Sequence, residues 1–290
     1  MEYKKILENL SIENCPVGLG GCKSQGPSYD CCEYNIIAFD GKKEESFLEC
    51  DGNFYHVYHG TLQETSPGVL LQYDGITILL DEQWELRMFL SKIKEKKQQI
   101  SNAYIKNCLV EAGVCITKAK HGLNSDPYAS SWVKCAAYFL ADAISVLNSY
   151  RPSPVHMLKI LRELPKSKTN ETISVITDSI GIERVTSSLL SRILKSTMGF
   201  SDLIGDNFHS KIISHKYNYL IENSLLSDCY FYLGYVNRNN FKKIQDLHRK
   251  PELIHLLKTG FDVENATTKI ESDANNLYEA TNSLLSLAHE

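Results

Sequence analysis

No stretch of this chain stays apolar for the ~20 residues that a bilayer crossing requires. The longest runs, CAAYFLA and CYFYLGYV, fall well short. The signatures G-x-x-x-x-G-K-S/T, G-x-S-x-G and H-E-x-x-H do not occur, which removes the P-loop, nucleophile-elbow and zincin readings. Nine cysteines are present, but they never repeat a C-x2-4-C unit, so a zinc or iron–sulfur site has no sequence support. There is no internal repeat of fixed period and no low-complexity tract. Positive charge is scarce at the front: residues 1–81 hold 5 Lys and Arg against 13 Asp and Glu. A segment so acidic is a poor binder of a nucleic-acid backbone, because neutralising phosphates takes clustered Lys and Arg.

What is present is ordinary globular material: 290 residues, 43% hydrophobic, 23% charged and 10% aromatic. That composition can bury real cores, and the length suits two domains. The start, MEYKKILENLSIEN, carries two glutamates by residue 8 and reads as an amphipathic helix rather than a secretory signal. An odd number of cysteines without an export signal favours buried thiols in a reducing compartment. The expected setting is cytoplasmic, with no membrane partner.

Residues 82–290 reverse the charge balance, with 26 Lys and Arg against 22 Asp and Glu, and the texture changes at the same point. Before residue 82 the chain is short, alternating and glycine-rich. After a helix at about 2–12, CPVGL, CEYNIIAF, SFLEC and NFYHVYHGTL read as strands, Asp51-Gly52 as a hairpin turn, and PGVLLQYDG as a further strand. After residue 82 apolar residues recur at helical intervals. A long linking helix is expected at about 82–121, then a helix capped by Asp126 with Pro127 in its first turn. Its stripe is Trp132, Ala136, Phe139, Leu140, Ala143, Ile144 and Leu147. Another helix starts at Ser153-Pro154, and more follow at about 170–179, 182–198, 209–237, 241–258 and 262–288, with Gly181, Gly199 and Gly260 as stops. The expected class is α+β: a mixed or antiparallel sheet domain over 1–81 and an all-helical bundle over 82–290.

The chemistry, if any, starts at Gly20-Gly21. A glycine pair after a strand lets backbone N–H groups approach a phosphate closely. Here the order is strand, Gly-Gly, an eleven-residue loop, then Glu33-Tyr34-Asn35-Ile36-Ile37. This order, with Leu19 before the glycines, resembles the nucleotidyltransferase superfamily that includes DNA polymerase beta, above all the prokaryotic and archaeal members with a C-terminal helical domain. PGVLLQYDG and KCAAYFLADAISVLNSYRPSPVHMLKILREL add to the likeness, which spans about residues 1–165. It implies a nucleotide-binding fold in which Gly20, Gly21 and Ser24 face the phosphates, and a ligand held in the cleft between the domains.

The resemblance also implies a metal clamp. Phosphoryl-type transfer is mostly positioning and charge stabilisation by two divalent ions, and Mg²⁺ takes anionic oxygen ligands. Two acids at i and i+2 project from one face of a strand. This chain has Glu33 but Asn35, and a neutral amide removes one charge. Asp30 is followed at i+2 by Cys32, and Asp40 falls on the Tyr34–Ile36–Ala38 face, opposite Glu33. The family's third carboxylate would sit on NFYHVYHGTL, which has no Asp or Glu. Two of three metal positions are therefore lost, leaving Glu33 as the surviving acid and Asn35 as an altered ligand.

Other residues carry weaker signals. His56 and His59 are three apart on a strand, hence on opposite faces, and read as ordinary histidines; Phe54, Tyr55 and Tyr58 read as sheet packing. Arg151 and His156, near a helix start, are candidate anion contacts, against a solvated helix face. The expected function is a catalytically degenerate nucleotidyltransferase homologue that binds a nucleotide, a small molecule or a protein partner. One alternative is an active enzyme transferring an adenylyl group with Mg²⁺ held by Glu33, either alone or joined by Asp30 after a bulge. Another is a non-enzymatic interaction module.

Overall fold

The computed structural model describes residues 7, 12, 14–42, 45–204, 207–243, 251–263 and 266–287. The helix expected at about 2–12 falls outside them apart from Leu7 and Ile12, and so does 244–250 of the helix expected at 241–258. The chain divides into two compact units, Met1–Tyr104 and Ile105–Glu290.

The first unit is a five-stranded mixed sheet: β1 (Val17–Gly20), β2 (Tyr34–Ala38), β3 (Glu45–Cys50), β4 (Asn53–His59) and β5 (Thr77–Leu80), in the order β3-β4-β2-β1-β5. Three of its neighbouring pairs are antiparallel, and β2 and β4 run parallel. The alternation of β2 explains the layering. Ile36 and Ala38 point to one side and pack with Val17, Tyr55 and Val57. Ile37 points to the other, where it meets Tyr73, Ile76, Leu86 and Ile93.

Two helices cover that second side: α1 (Pro67–Tyr73) and α2 (Glu85–Glu95). α1 corrects the strand expected at PGVLLQYDG. Pro67 opens the helix, where the missing N–H costs nothing, and the Ser66 carbonyl accepts from the Val69 and Leu70 N–H groups at 3.1 and 2.9 Å. Val69, Leu70 and Tyr73 all reach the same core, which is helical rather than strand spacing. The last strand is instead TILL, β5, at the sheet edge beside β1. The Asp81 carboxylate caps the start of α2, accepting from the Leu86 and Arg87 N–H groups at 3.2 and 2.9 Å. Leu86 and Ile93 are one i, i+7 stripe of α2, and they belong to the sheet's core.

The expected long helix is interrupted at Lys96, whose N–H reaches both Lys92 and Lys94 carbonyls, and it resumes as α3 (Lys97–Gly122). The division between the units falls inside α3.

The second unit is helical: α4 (Ala129–Leu147), α5 (Met157–Glu163), α6 (Thr172–Ile180), α7 (Ser187–Leu203), α8 (Asn207–Glu222), α9 (Leu226–Lys243), α10 (Pro251–Gly260) and α11 (Thr267–Leu287). Asp126 lies before α4, where it accepts the Tyr128 N–H and the Trp132 indole N–H, both at 2.9 Å. α4 is buried on nearly every side, not along one stripe, and packs against α5, α6, α9 and α11. It is the centre of the bundle. The expected single helix at 209–237 is two, α8 and α9, separated by a turn in which Ser224 takes φ +58°. Gly181 and Gly260 end helices, as their positions suggest, whereas Gly199 lies inside α7.

Burial in this unit includes charge. Asp142 of α4 faces Arg238 of α9 at 2.6 Å and accepts the Tyr235 hydroxyl at 2.7 Å. The guanidinium lies over the Phe139 and Tyr235 rings, 4.6 and 4.0 Å from their centroids. Among the described residues, no helix is long and apolar enough to cross a membrane.

Candidate functional site

The β1–β2 hairpin pairs without a bulge, setting Gly20 opposite Asn35. The parallel β2–β4 pair sets His56 beside Asn35, and the β3–β4 pair sets Phe47 beside His56. One row across the sheet therefore reads Phe47, His56, Asn35, Gly20. Residues opposite one another share a face, so Asn35 and His56 stand side by side.

Gly21 closes the row. It has φ +69°, a region that glycine enters without steric cost, and a Cβ built there would lie 2.2 Å from Asn35 Nδ2. Both requirements exclude a larger residue. Gly21→Ala is expected to cost roughly 1–3 kcal/mol through backbone strain and overpacking. Adding Asn35→Ala should recover part of that loss, as read by urea unfolding of the four members of the cycle. A Gly21→Ala chain as stable as the parent would show that the turn does not press on Asn35.

Gly21, Asn35 and His56 line a cavity of about 660 Å³, together with Glu45, Tyr58 and His59. Every residue of its lining belongs to the first unit. The lining also carries Glu64 and Lys42. Glu64 Oε1 accepts from the Thr65 and Ser66 N–H groups at 2.8 and 2.7 Å, ahead of α1. Tyr73, also on the wall, is pushed up to about 12 by burial and then by the charge of Glu64.

The expected residues distribute unevenly. Gly21 and Asn35 meet at the cavity. Ser24 ties the loop to β5 instead: its hydroxyl donates to the Gly75 carbonyl at 2.7 Å, accepts the Thr77 N–H at 3.0 Å and lies 2.8 Å from Thr77 Oγ1. Glu33 is half-buried just before β2 and is not among the residues lining the cavity. Asp30 is exposed in the preceding turn. Arg151 and His156 lie in the second unit, where His156 is fully buried. All nine cysteines, which fall among the described residues, are outside disulfides.

Two features escaped the sequence reading. Glu45, on the rim of the row, has Oε2 3.4 Å from His56 Nε2. Counting outward from the Asp51-Gly52 turn would have found it, since that turn fixes Cys50 opposite Asn53 and so Glu45 opposite Tyr58. The second is the pair Asp40 and His59, 2.8 Å apart. It depends on the parallel β2–β4 register, which no local pattern encodes.

The donor set does not fit a pair of hard divalent ions. Asn35 offers a neutral oxygen and His56 an imidazole nitrogen, a poor ligand for magnesium. No family model matches the chain, and no curated protein matches it. Among solved structures, it is similar to the crystal structure of a nucleotidyltransferase-like protein from Exiguobacterium sibiricum 255-15, at 11% identity and a TM-score of 0.35, over 88% of this chain and 85% of that one. A likeness that slight carries no argument.

Proposed function

We propose that the first unit is a nucleotidyltransferase-like binding domain that takes a nucleoside triphosphate without efficiently transferring any part of it. The observation that carries this reading is the contact between Gly21, at φ +69°, and Asn35, beside His56. A glycine turn suited to close phosphate approach abuts a pair of neighbouring strands that present an amide, from β2, and an imidazole, from β4. The grip is kept and the charge that would assemble two metal ions is absent. The cavity volume falls in the range of small-molecule sites.

The test is thermal unfolding with ATP, GTP, CTP and UTP, each with and without Mg²⁺, beside an assay for nucleotide turnover. A ligand that binds only the folded state raises its stability by mass action, about 2.7 kcal/mol at a hundredfold excess over Kd. The expected result is a shift that does not need the metal, without turnover. A shift that needs Mg²⁺, with turnover abolished by Glu33→Gln, would make the chain an active transferase. No shift with any nucleotide would leave an interaction module.

A further inference from the structure

The first unit holds another cavity, of about 540 Å³, whose lining shares only Tyr73 with the one already described. Its place follows from the periodicity of α2. Leu86 and Ile93 turn into the sheet's core. Arg87, Leu90, Ser91 and Lys94, at i, i+3, i+4 and i+7, make the adjoining face of the helix, and all four line the cavity. Ile76 and Ile78 contribute from the side of β5, the edge strand of the sheet. The Asp74-Gly75 turn is also on the wall, fixed by the Ser24 hydroxyl, which donates to the Gly75 carbonyl at 2.7 Å.

Charge and apolar surface divide this wall between them. Ile76, Ile78 and Leu90 belong to the sheet's core, the last two only partly buried. The single carboxylate of the lining, Asp74, is already held by Lys97 Nζ at 2.8 Å. Among the described residues, neither Arg87 nor Lys94 has a carboxylate within ion-pair distance. Two cations therefore stand without a counter-charge, about 10 Å apart along the helix axis. Helical side chains lean toward the N-terminus, which inclines Lys94 over Ser91 toward Arg87.

Arg87 also has an unusual neighbour. Trp84, just ahead of α2, takes φ +62° and ψ +12°, a left-handed conformation that bulky residues rarely adopt. Its side chain is not there to be buried, since the residue is 62% exposed. Instead the indole carries the Arg87 guanidinium, 4.5 Å from its ring centroid. Stacking occupies the flat face of a guanidinium and leaves its in-plane N–H donors outward, the fork that matches the oxygens of a phosphate or carboxylate. Backbone strain of this kind gathers at ligand sites.

We propose that this cavity binds a small phosphate monoester with an apolar body, the phosphate held by Arg87, Lys94 and Ser91 and the body lying on Ile76, Ile78 and Leu90. Two unmatched cations suit the nearly two negative charges of such an ester above neutral pH. A fork, an ammonium and a hydroxyl supply donors for its three free oxygens. A carboxylate would leave one cation unmatched, and inorganic phosphate would leave the apolar floor bare. The inference does not rest on the nucleotide reading, because Gly21, Asn35 and His56 are not in this lining.

The experiment titrates the 15N-labelled full chain with phenyl phosphate, inorganic phosphate or benzoate at a pH of about 8, following the indole N–H signals of its two tryptophans by NMR. Trp84→Phe assigns them. The expected result is a Trp84 signal that moves with phenyl phosphate while that of Trp132 stays, and binding of the other two ligands at least about tenfold weaker. Arg87→Gln and Lys94→Gln should each weaken phenyl phosphate about tenfold or more, the loss of one charge-assisted hydrogen bond. Lys92→Gln, on another face of α2 and outside the lining, should leave it within about twofold. All three positions are exposed, so the variants should fold. Should one fail to, the comparison of the three ligands in the parent chain still decides. Absence of binding, benzoate or inorganic phosphate binding as tightly as phenyl phosphate, or an equal loss in Lys92→Gln overturns the site. So does phenyl phosphate binding with a still Trp84 signal, which would put the ligand elsewhere.

Discussion

Asn35→Asp combined with His56→Asp is expected to make nucleotide binding depend on Mg²⁺. The two positions are neighbours in register on parallel strands, so both new carboxylates would share one face, with Glu45 beside them. Without metal, like charges at that spacing repel and the variant should be less stable than the parent. With Mg²⁺ and ATP in excess the order should invert, because hard anionic oxygens at neighbouring positions supply what an amide and an imidazole do not. A hundredfold excess over Kd corresponds to about 2.7 kcal/mol, or on the order of 10 °C in the melting of a unit of about a hundred residues. Each single substitution should do far less, since one carboxylate does not make a clamp. If the double variant ignores Mg²⁺ with every nucleotide, the row through Gly20, Asn35 and His56 is not a former metal site.

In the helical unit, Asp142→Ala should be among the most damaging single changes. Asp142 and Arg238 are both nearly inaccessible, with side-chain exposures of 2% and 7%, and the carboxylate also takes the Tyr235 hydroxyl. Removing it takes away the counter-charge of a guanidinium packed between Phe139 and Tyr235. Breaking a buried pair in this way costs about 3–5 kcal/mol. Asp142→Leu with Arg238→Met should restore most of that, because two apolar chains remove the charge together with its partner. Urea unfolding of the single and double variants measures both steps. A loss below about 1 kcal/mol for Asp142→Ala, the range of an exposed pair, would mean that the pair is solvated.

What the residues announced in advance, and what they did not, follows from how far apart the interacting partners lie. The β1 and β2 strands were legible because their parts adjoin, a strand, a double glycine and a strand, whereas the pairing of Gly20 with Asn35 is set by the folded register. The α+β class was legible for the same reason, through alternation before residue 82 and helical periodicity after it. PGVLLQY misled because a short apolar run fits a strand or a helix equally, and the prolyl residue at its start decided for the helix. Lys96 interrupts a helix in a lysine-rich run where no glycine or proline marks the break. Asp142 sits inside a stretch that reads as uninterrupted core, and its partner Arg238 lies 96 positions later. The charge change at residue 82 falls ahead of α2, whose Leu86 and Ile93 complete the sheet's core, so net charge tracked the surface while packing set the unit. At the site, only the Gly21–Asn35 end could be read locally; Asp40 meets His59 through a parallel register that only the folded chain supplies.

The order β3-β4-β2-β1-β5 also bears on how the first unit comes into being during synthesis. Among the strands of the described residues β1 is the first to leave the ribosome, and one of its two ladder partners, β5, is the last. The β3–β4 hairpin can close as soon as its turn emerges, but the far edge of β1 has no strand to pair with until about sixty more residues have followed. Long-range pairing of this kind is slow and leaves an open template for wrong partners meanwhile. A pause after residue 40 and before residue 77 has emerged from the ribosome would hold the nascent chain in that half-built state, the stage at which a holdase would matter most for this protein.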